Sequence, residues 1–320
     1  MALRVAILDD YQHVALTCAD WSTVEKRISI DVFSDTIHDE DLLVQRLEAY
    51  HIICTMRERT KFTSKLLDRL PNLRLITTTG MRNQGIDIDF AKSKGIIVSG
   101  TGSGGNSTLE HIWALILSVA RNIAVDDANI KSGSPLWQTS IPVGLSGKTL
   151  GLIGVGRLGS QTAKVAKAFN MRVIGWSPNL TPERASQAEV EFVRSKKQLL
   201  QQSDIVSLHL VLSQTTHHIL SAGDIAIMKP SALLINTSRG PLIDEAALID
   251  AVKKKSISGA GLDVYDLEPL PLEHPLRKIP GITLTPHTGY VNDSNYKVFW
   301  SETVENIAGF LNGTPRRELA

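Results

Sequence analysis

The feature that most restricts what this chain can become is Gly154-Val155-Gly156-Arg157-Leu158-Gly159, together with what flanks it. An apolar run of strand length, Thr149-Leu150-Gly151-Leu152-Ile153, leads into it. A helical pattern over 158–169 follows, and a second apolar run, 172–176, comes about a dozen residues after the loop. In that context each glycine has a task. Gly154 permits the tight turn, Gly156 lets the backbone approach a pyrophosphate, and Gly159 lets helix and strand pack closely. The free N–H groups and dipole at the helix start attract an anion. Gly154, Val155, Gly156, Arg157, Leu158 and Gly159 are therefore expected to cradle the phosphates of a dinucleotide.

The same alternation of apolar runs and helical patterns extends along the chain. In the first half, runs at 5–8, 52–54, 73–76 and 96–98 predict strands, with helices over 39–47 and 64–70. From Lys148 onward, strands are expected at 149–153, 172–176, 205–209, 232–236, 259–264 and 282–284. Helices are expected over 158–169, 196–202 and 244–254. Strands alternating with helices give parallel sheets covered on both faces. With 320 residues the chain exceeds one ordinary core. The fold class is α/β: two doubly wound parallel-sheet domains, Rossmann-like and flavodoxin-like. Near residue 100 the texture changes to Ser99-Gly100-Thr101-Gly102-Ser103-Gly104-Gly105-Asn106. This reads either as a hinge or as a plain surface connection. A helical pattern over 107–121 follows, with Ser107 as N-cap and Glu110 completing a capping box. The final helical pattern, 294–311, is long enough to run back to the first domain.

Charge excludes some functions. Lys plus Arg number 34 and Asp plus Glu 33, and the longest basic run is Lys253-Lys254-Lys255 at the end of an expected helix. That is no electrostatic footprint for nucleic acid or an anionic membrane. Cys18 and Cys54 form no metal-binding pattern. The N-terminus reads as a strand rather than a signal peptide, and no apolar stretch reaches membrane-spanning length. A cytoplasmic protein without metal, nucleic-acid or membrane partners is expected.

The second strand of the glycine-loop series ends at Trp176 and is followed by Ser177, where domains that bind NAD usually carry Asp or Glu. Without that acid nothing repels a 2′-phosphate, and Ser177, Asn179, Thr181 and Arg184 could donate to one. NADP(H) is favoured over NAD(H).

Three later segments place polar groups beyond strand ends, where ligands of open α/β sheets bind. They are Asn236-Thr237-Ser238-Arg239-Gly240, Leu262-Asp263-Val264 with Glu268-Pro269, and Thr285-Pro286-His287. One His, one carboxylate and one Arg can reduce a keto acid. His287 would give a proton to the carbonyl oxygen as a hydride arrives, Glu268 would stabilise the imidazolium, and Arg239 would hold the substrate carboxylate. Taken singly, each has a structural alternative: a loop histidine, a surface acid, a helix-capping arginine.

In order and spacing, these segments and the glycine loop resemble the signatures of the D-isomer-specific 2-hydroxyacid dehydrogenases, over nearly the whole chain. The resemblance implies Arg239, Glu268 and His287 as the catalytic set. It implies Asp263 near the nicotinamide, and Thr237 and Ser238 lining the cofactor cleft. It further implies a substrate domain of residues 1–100 plus 290–320 and a dinucleotide domain of 101–289, with the active site in the cleft between them. The family binds the substrate carboxylate through a loop that corresponds here to Gly80, Met81 and Arg82. Met81 and Arg82 depart from the small residues common there; Arg82 either offers a second cation to a dicarboxylate or phosphorylated substrate or points to solvent or pairs locally, and Arg57, just past the 52–54 strand, could likewise face the cleft. The region Ser134-Pro135-Leu136-Trp137 resembles an arm that crosses a dimer interface, so a homodimer is expected; Trp137 packed within its own domain is the alternative. The activity implied is reduction of a small 2-keto acid, glyoxylate, hydroxypyruvate and bulkier acids all being open. A non-catalytic, NAD(H)-sensing regulator of the same fold is the competing reading.

Overall fold

The structure, a computed structural model, describes residues 2–319. The chain forms two compact units: one runs to Gly105 and resumes at Val291, and the other is Asn106–Tyr290.

The first unit holds a five-stranded, wholly parallel sheet of β1 (Leu3–Ile7), β2 (Ile28–Val32), β3 (Ile52–Thr55), β4 (Leu75–Thr78) and β5 (Ile97–Ser99), in the order β2-β1-β3-β4-β5. This is the flavodoxin order, and its direction of winding reverses between β1 and β3. The central strands β3 and β4 are buried throughout, as strands covered on both faces must be. β2 is absent from the expected strands. Its Ile28-Ser29-Ile30-Asp31-Val32 alternates, and it is the half-exposed edge of the sheet. The connecting helices α1 (Glu40–Leu47), α2 (Ser64–Asp68) and α3 (Ile88–Ser93) start where Asp39, Thr63 and Asp87 accept a backbone N–H. The C-terminal helix, Asp293–Leu311, belongs to this unit and buries Phe299, Trp300, Val304 and Ile307.

The second unit opens with α4 (Ser107–Ala120) and α5 (Ile123–Lys131). Its sheet comprises β6 (Thr149–Ile153), β7 (Arg172–Trp176), β8 (Glu191–Phe192), β9 (Ile205–Leu208), β10 (Leu233–Asn236), β11 (Gly259–Leu262) and β12 (Ile282–Leu284). The helices between are α6 (Arg157–Ala168), α7 (Pro182–Gln187), α8 (Lys196–Gln202), α9 (Ala222–Ala226) and α10 (Glu245–Lys253). The parallel order β12-β11-β10-β9-β6-β7-β8 is that of a dinucleotide fold with one added strand, reversing between β6 and β9. On α4, Ile112, Leu115, Ile116 and Val119 recur at helical spacing and are buried against Leu152, Ile235 and their neighbours. Each such side chain contributes about 1.5–3 kcal/mol.

One reading of the 99–121 region changes. Ser107 is not an N-cap: Asn106 precedes the helix and makes no side-chain cap bond, while Ser107 Oγ donates to Gly289 O at 3.1 Å. Ser107 is already the first helical residue, and its hydroxyl makes a tertiary bond instead of a local cap. The glycine stretch before it is not slack. Gly102 N and Gly104 N donate to Glu302 Oε2 (2.5 Å) and Asn295 Oδ1 (2.8 Å) of the C-terminal helix, and Asn306 Nδ2 donates to Gly100 O (2.8 Å). Among the described residues, no single helix is long and apolar enough to cross a membrane.

Candidate active site

Beyond the carboxyl end of β6, the chain turns at Gly154, where φ is +103°, and starts α6 at the cap Gly156. The three glycines differ in what surrounds them. A Cβ on Gly154 would lie 2.7 Å from His209 O, and one on Gly159 would lie 2.2 Å from Gly154 O. Around a Cβ on Gly156 there is nothing within 4 Å. The first and third are therefore demanded by packing, whereas the second stands at open space. Because Gly156 has no side chain and the first turn of α6 holds no acid, the N–H groups there lack both a capping oxygen and a competing carboxylate. Gly156 and Arg157 are exposed and Leu158 half-buried, while Val155 is buried in the core and serves packing. These residues fit a dinucleotide pyrophosphate. Beneath the loop both ring nitrogens of the half-buried His209 are shut off from solvent, and this desolvation holds the imidazole neutral, with the pKa pushed down to about 4.

At the end of β7, Ser177 is half-buried. Thr181 spends its hydroxyl oxygen accepting from Arg184 N, and Arg184 Nη1 donates to Asn179 O at 3.1 Å. Arg184 thus braces the turn next to Ser177.

Arg239 follows β10. Asn236 fixes its loop by accepting from Ser238 N (3.0 Å) and donating to Arg239 O (2.9 Å). Ser238 Oγ donates to Leu208 O (2.8 Å), tying the loop to β9, and Thr237 is half-buried beside it. Arg239 is half-buried with Nη1 donating to Ser238 O at 2.7 Å. The next residue explains how Arg239 and Glu268 come to share a region. A Cβ on Gly240 would lie 2.1 Å from the carbonyl carbon of Tyr265, so only glycine lets the segment leading to Glu268 pass this close.

Glu268 and His287 form a pair. Glu268 Oε2 lies 2.5 Å from His287 Nδ1, and its Oε1 accepts from Tyr265 N at 2.9 Å. A carboxylate on Nδ1 selects the form of the ring that carries its proton there and leaves Nε2 for other chemistry. His287 has φ +52°, a conformation costly for a residue with a Cβ, of the sort that concentrates at functional sites. The ring of Tyr290 meets it edge-on, with centroids 5.7 Å apart.

Asp263, at the end of β11, is 1% exposed. Its Oδ1 accepts from Thr285 Oγ1 (2.6 Å) and Thr288 N (2.9 Å), and its Oδ2 from Gly289 N (2.8 Å). His111 Nε2 of α4 lies 3.1 Å from Oδ1. Burial alone would push this carboxyl up, but the hydrogen bonds from His111, Thr285 and Thr288 outweigh it and hold the group below the usual carboxylate range. Asp263 therefore carries the loop on which His287 sits. Nothing in the sequence pattern singled out His111. It lies on an apolar helix, and its partner is 152 positions away in the chain.

In the first unit, three adjacent strands end in left-handed residues: Asp9 after β1 (φ +58°), Arg57 after β3 (φ +53°) and Gly80 after β4 (φ +91°). Gly80 is buried and its N–H donates to Thr101 Oγ1 at 2.9 Å, so that amide is already engaged, while Met81 and Arg82 are exposed. Arg57 Nη1 donates to Thr79 O (3.2 Å) and lies 2.0 Å from where a Cβ of Gly80 would stand, so the guanidinium covers Gly80. Asn83 knits the two loops by donating to Arg57 O (2.6 Å) and Thr78 Oγ1 (2.8 Å).

A sheet that reverses at a glycine loop, with a His–carboxylate pair at its strand ends, defines a nicotinamide-dependent oxidoreductase. Comparison with known proteins sharpens this. A family model described as the NAD binding domain of D-isomer specific 2-hydroxyacid dehydrogenases matches residues 113–289. The chain is 35% identical to a glyoxylate reductase of Thermococcus litoralis, over 91% of this chain and 89% of that one. It is 36% identical to a D-3-phosphoglycerate dehydrogenase of Methanocaldococcus jannaschii, over 87% of this chain and 51% of that one. A solved phosphoglycerate oxidoreductase of Vibrio cholerae O395 superposes with a TM-score of 0.90 at 31% identity, covering 97% of this chain and 99% of that one. The chain belongs to the D-isomer specific 2-hydroxyacid dehydrogenase family. Its reaction class is hydride transfer between a nicotinamide cofactor and a 2-keto or 2-hydroxy acid.

Proposed function

We propose that this protein reduces a small 2-keto acid such as glyoxylate or hydroxypyruvate, with NADP(H) favoured over NAD(H). The observation that carries the reading is the His287–Glu268 pair, 2.5 Å apart, in the same unit as the glycine loop. The bound nicotinamide supplies the hydride. His287 gives the keto oxygen a proton from Nε2, while Glu268 on Nδ1 orients the ring and balances the charge it carries. The planar fork of Arg239 holds the substrate carboxylate and polarises the carbonyl. In the first unit the Gly80-Met81-Arg82 loop binds substrate. The Gly80 amide itself is already engaged by Thr101. Residues 154–159, Ser177, Thr237 and Ser238 hold the cofactor, and Asp263 supports the catalytic loop beside it. The preference for NADP(H) rests on Ser177, with no carboxylate before Glu183 to repel a 2′-phosphate.

A second substrate reading is favoured by one observation: the guanidinium of Arg57 over Gly80, with Arg82 exposed on the same loop, suits a substrate bearing a second anionic group. We further propose a homodimer in the cytoplasm. Leu136, Trp137 and Ile141 are 64%, 78% and 96% exposed, and α5 buries none of its residues, so this apolar region suits a second copy of the chain.

The deciding experiment follows oxidation of NADPH and NADH with glyoxylate, hydroxypyruvate and a phosphorylated keto acid, for the wild type and His287→Ala. Turnover in the wild type and a loss of about 10²–10⁴-fold in His287→Ala, with cofactor Kd unchanged, is expected. Tight cofactor binding with no turnover on any acid would instead favour a sensor of the same fold.

A further inference from the structure

The imidazole of His287 stands on a short loop, and that loop has two points of attachment within its unit. At one end Thr285 Oγ1 donates to Asp263, at 2.6 Å. At the other, Thr288 N and Gly289 N donate to the same carboxylate, at 2.9 and 2.8 Å. His287 lies between these anchors, with its own N–H on Thr285 O at 3.0 Å and a left-handed backbone. A residue held in so costly a conformation keeps it only when its surroundings over-determine it. The position of the ring therefore depends on the position of one buried carboxylate.

That carboxylate is held in turn from α4. His111 Nε2 reaches both Asp263 Oδ1 (3.1 Å) and Thr285 Oγ1 (3.0 Å), with its side chain 18% exposed. One turn earlier on the same helix, Ser107 Oγ donates to Gly289 O at 3.1 Å. The start of α4 thus grips both ends of the catalytic loop. Gly289 closes the arrangement: a Cβ there would lie 2.9 Å from Asp263 Oδ2 and 3.6 Å from the His111 ring. The location adds to the argument. Asn106 is where the chain enters this unit and Tyr290 is where it leaves, so the Ser107–Gly289 bond joins the entering and leaving segments beside the catalytic histidine.

We infer that His111 is a positioning residue for the reaction, fixing the His287 imidazole through Asp263 and Thr285. The inference rests on the reading of His287 as proton donor. An apolar side chain at position 111 would fill the space but leave a buried carboxylate short of a donor, which a buried ion does not tolerate without moving. A shift of about half an ångström in the ring is enough to spoil proton transfer. Burial without His111 would also leave nothing on the α4 side to offset the upward push on Asp263.

The test compares wild type, His111→Leu, His111→Gln and His287→Ala with glyoxylate and NADPH or NADH. It also measures cofactor Kd and amide hydrogen exchange across 285–289. His111→Leu should lose about 10–100-fold in kcat, the size of a lost hydrogen bond to a charged group, with cofactor Kd within about twofold. Exchange at Thr288 and Gly289 should speed up. His111→Gln, which can still donate to Asp263, should recover most of the rate. Added to His287→Ala, the His111→Leu change should cost nothing further, because the ring it positions is gone. Wild-type kcat in His111→Leu overturns the inference, as does a loss that follows cofactor Kd or that Gln does not rescue. If His287→Ala is inactive and His111→Leu is normal, only this inference falls. If His287→Ala turns over normally, the reading of the His287–Glu268 pair falls and the inference with it. Should His111→Leu fail to fold, Thr285→Val breaks the same chain of contacts and should lose about tenfold in kcat at unchanged cofactor Kd; normal kcat there overturns the inference equally.

Discussion

The chain has two glycine-rich stretches, 100–105 and 154–159, and they look alike as sequence but do opposite things. In the first, each glycine that faces a neighbour is filled in. A Cβ on Gly100 would meet Gly80 O at 2.7 Å, and one on Gly104 would meet Ser294 O at 2.8 Å. Its amides donate to Glu302 and Asn295. In the second, Gly154 and Gly159 are filled in, but Gly156 faces open space and caps α6 with nothing. One stretch uses glycine to bring protein backbone against protein backbone. The other uses two glycines for that and leaves the third at open space. Glycine content alone reports close approach; only the surroundings say what approaches.

The comparison can be broken by substitution. Gly159→Ala should have the largest effect. Its methyl would sit 2.2 Å from Gly154 O, so α6 must move, costing about 3 kcal/mol in stability and most of the cofactor affinity. Chemical denaturation and cofactor titration check both. Gly104→Ala meets Ser294 backbone at 2.8 Å and should cost about 2 kcal/mol, leaving cofactor Kd within about twofold. Loss of cofactor affinity there would mean that the two stretches are not separate in function. Gly156→Ala should do the reverse, with stability changed by no more than about 0.5 kcal/mol but cofactor affinity falling about tenfold. If Gly156→Ala binds cofactor normally, the open space at the loop is not where the phosphates lie. Ser177→Asp should have the smallest effect, an increase of about tenfold in the NADH-to-NADPH ratio of kcat/KM at unchanged Tm; an unchanged ratio places the ribose elsewhere.

Much of the molecule is legible in the sequence. Most strands of the second unit are continuous apolar runs bounded by turns, and such runs announce themselves; the two-residue β8, Glu191-Phe192, is not such a run and was not expected. β2 was missed because it is an alternating edge strand, weaker in signal than the buried runs beside it. Ser107 was misread because a Ser followed three residues later by Glu satisfies the local rule for a cap, and no local rule reports a distant carbonyl at Gly289. Arg239, Glu268 and His287 were candidates as polar residues beyond apolar strands, each with a structural alternative until the family resemblance singled them out. His111 did not, because a histidine on an apolar helix has no distinctive pattern until its partner is known.

By itself the sequence determined the periodicities that make the strands and helices. It also determined the glycine loop, whose spacing follows from covalent geometry, and the chemical types of the residues at strand ends. Each of these depends on neighbours a few positions away. Tertiary structure decided which carboxylate meets which ring. It brought Glu268 to His287, let the backbone of Tyr265 pass Gly240, and set His111 on Asp263 across 152 positions. Such contacts follow from sheet order and helix packing, which the whole chain fixes together, and no window of sequence contains them.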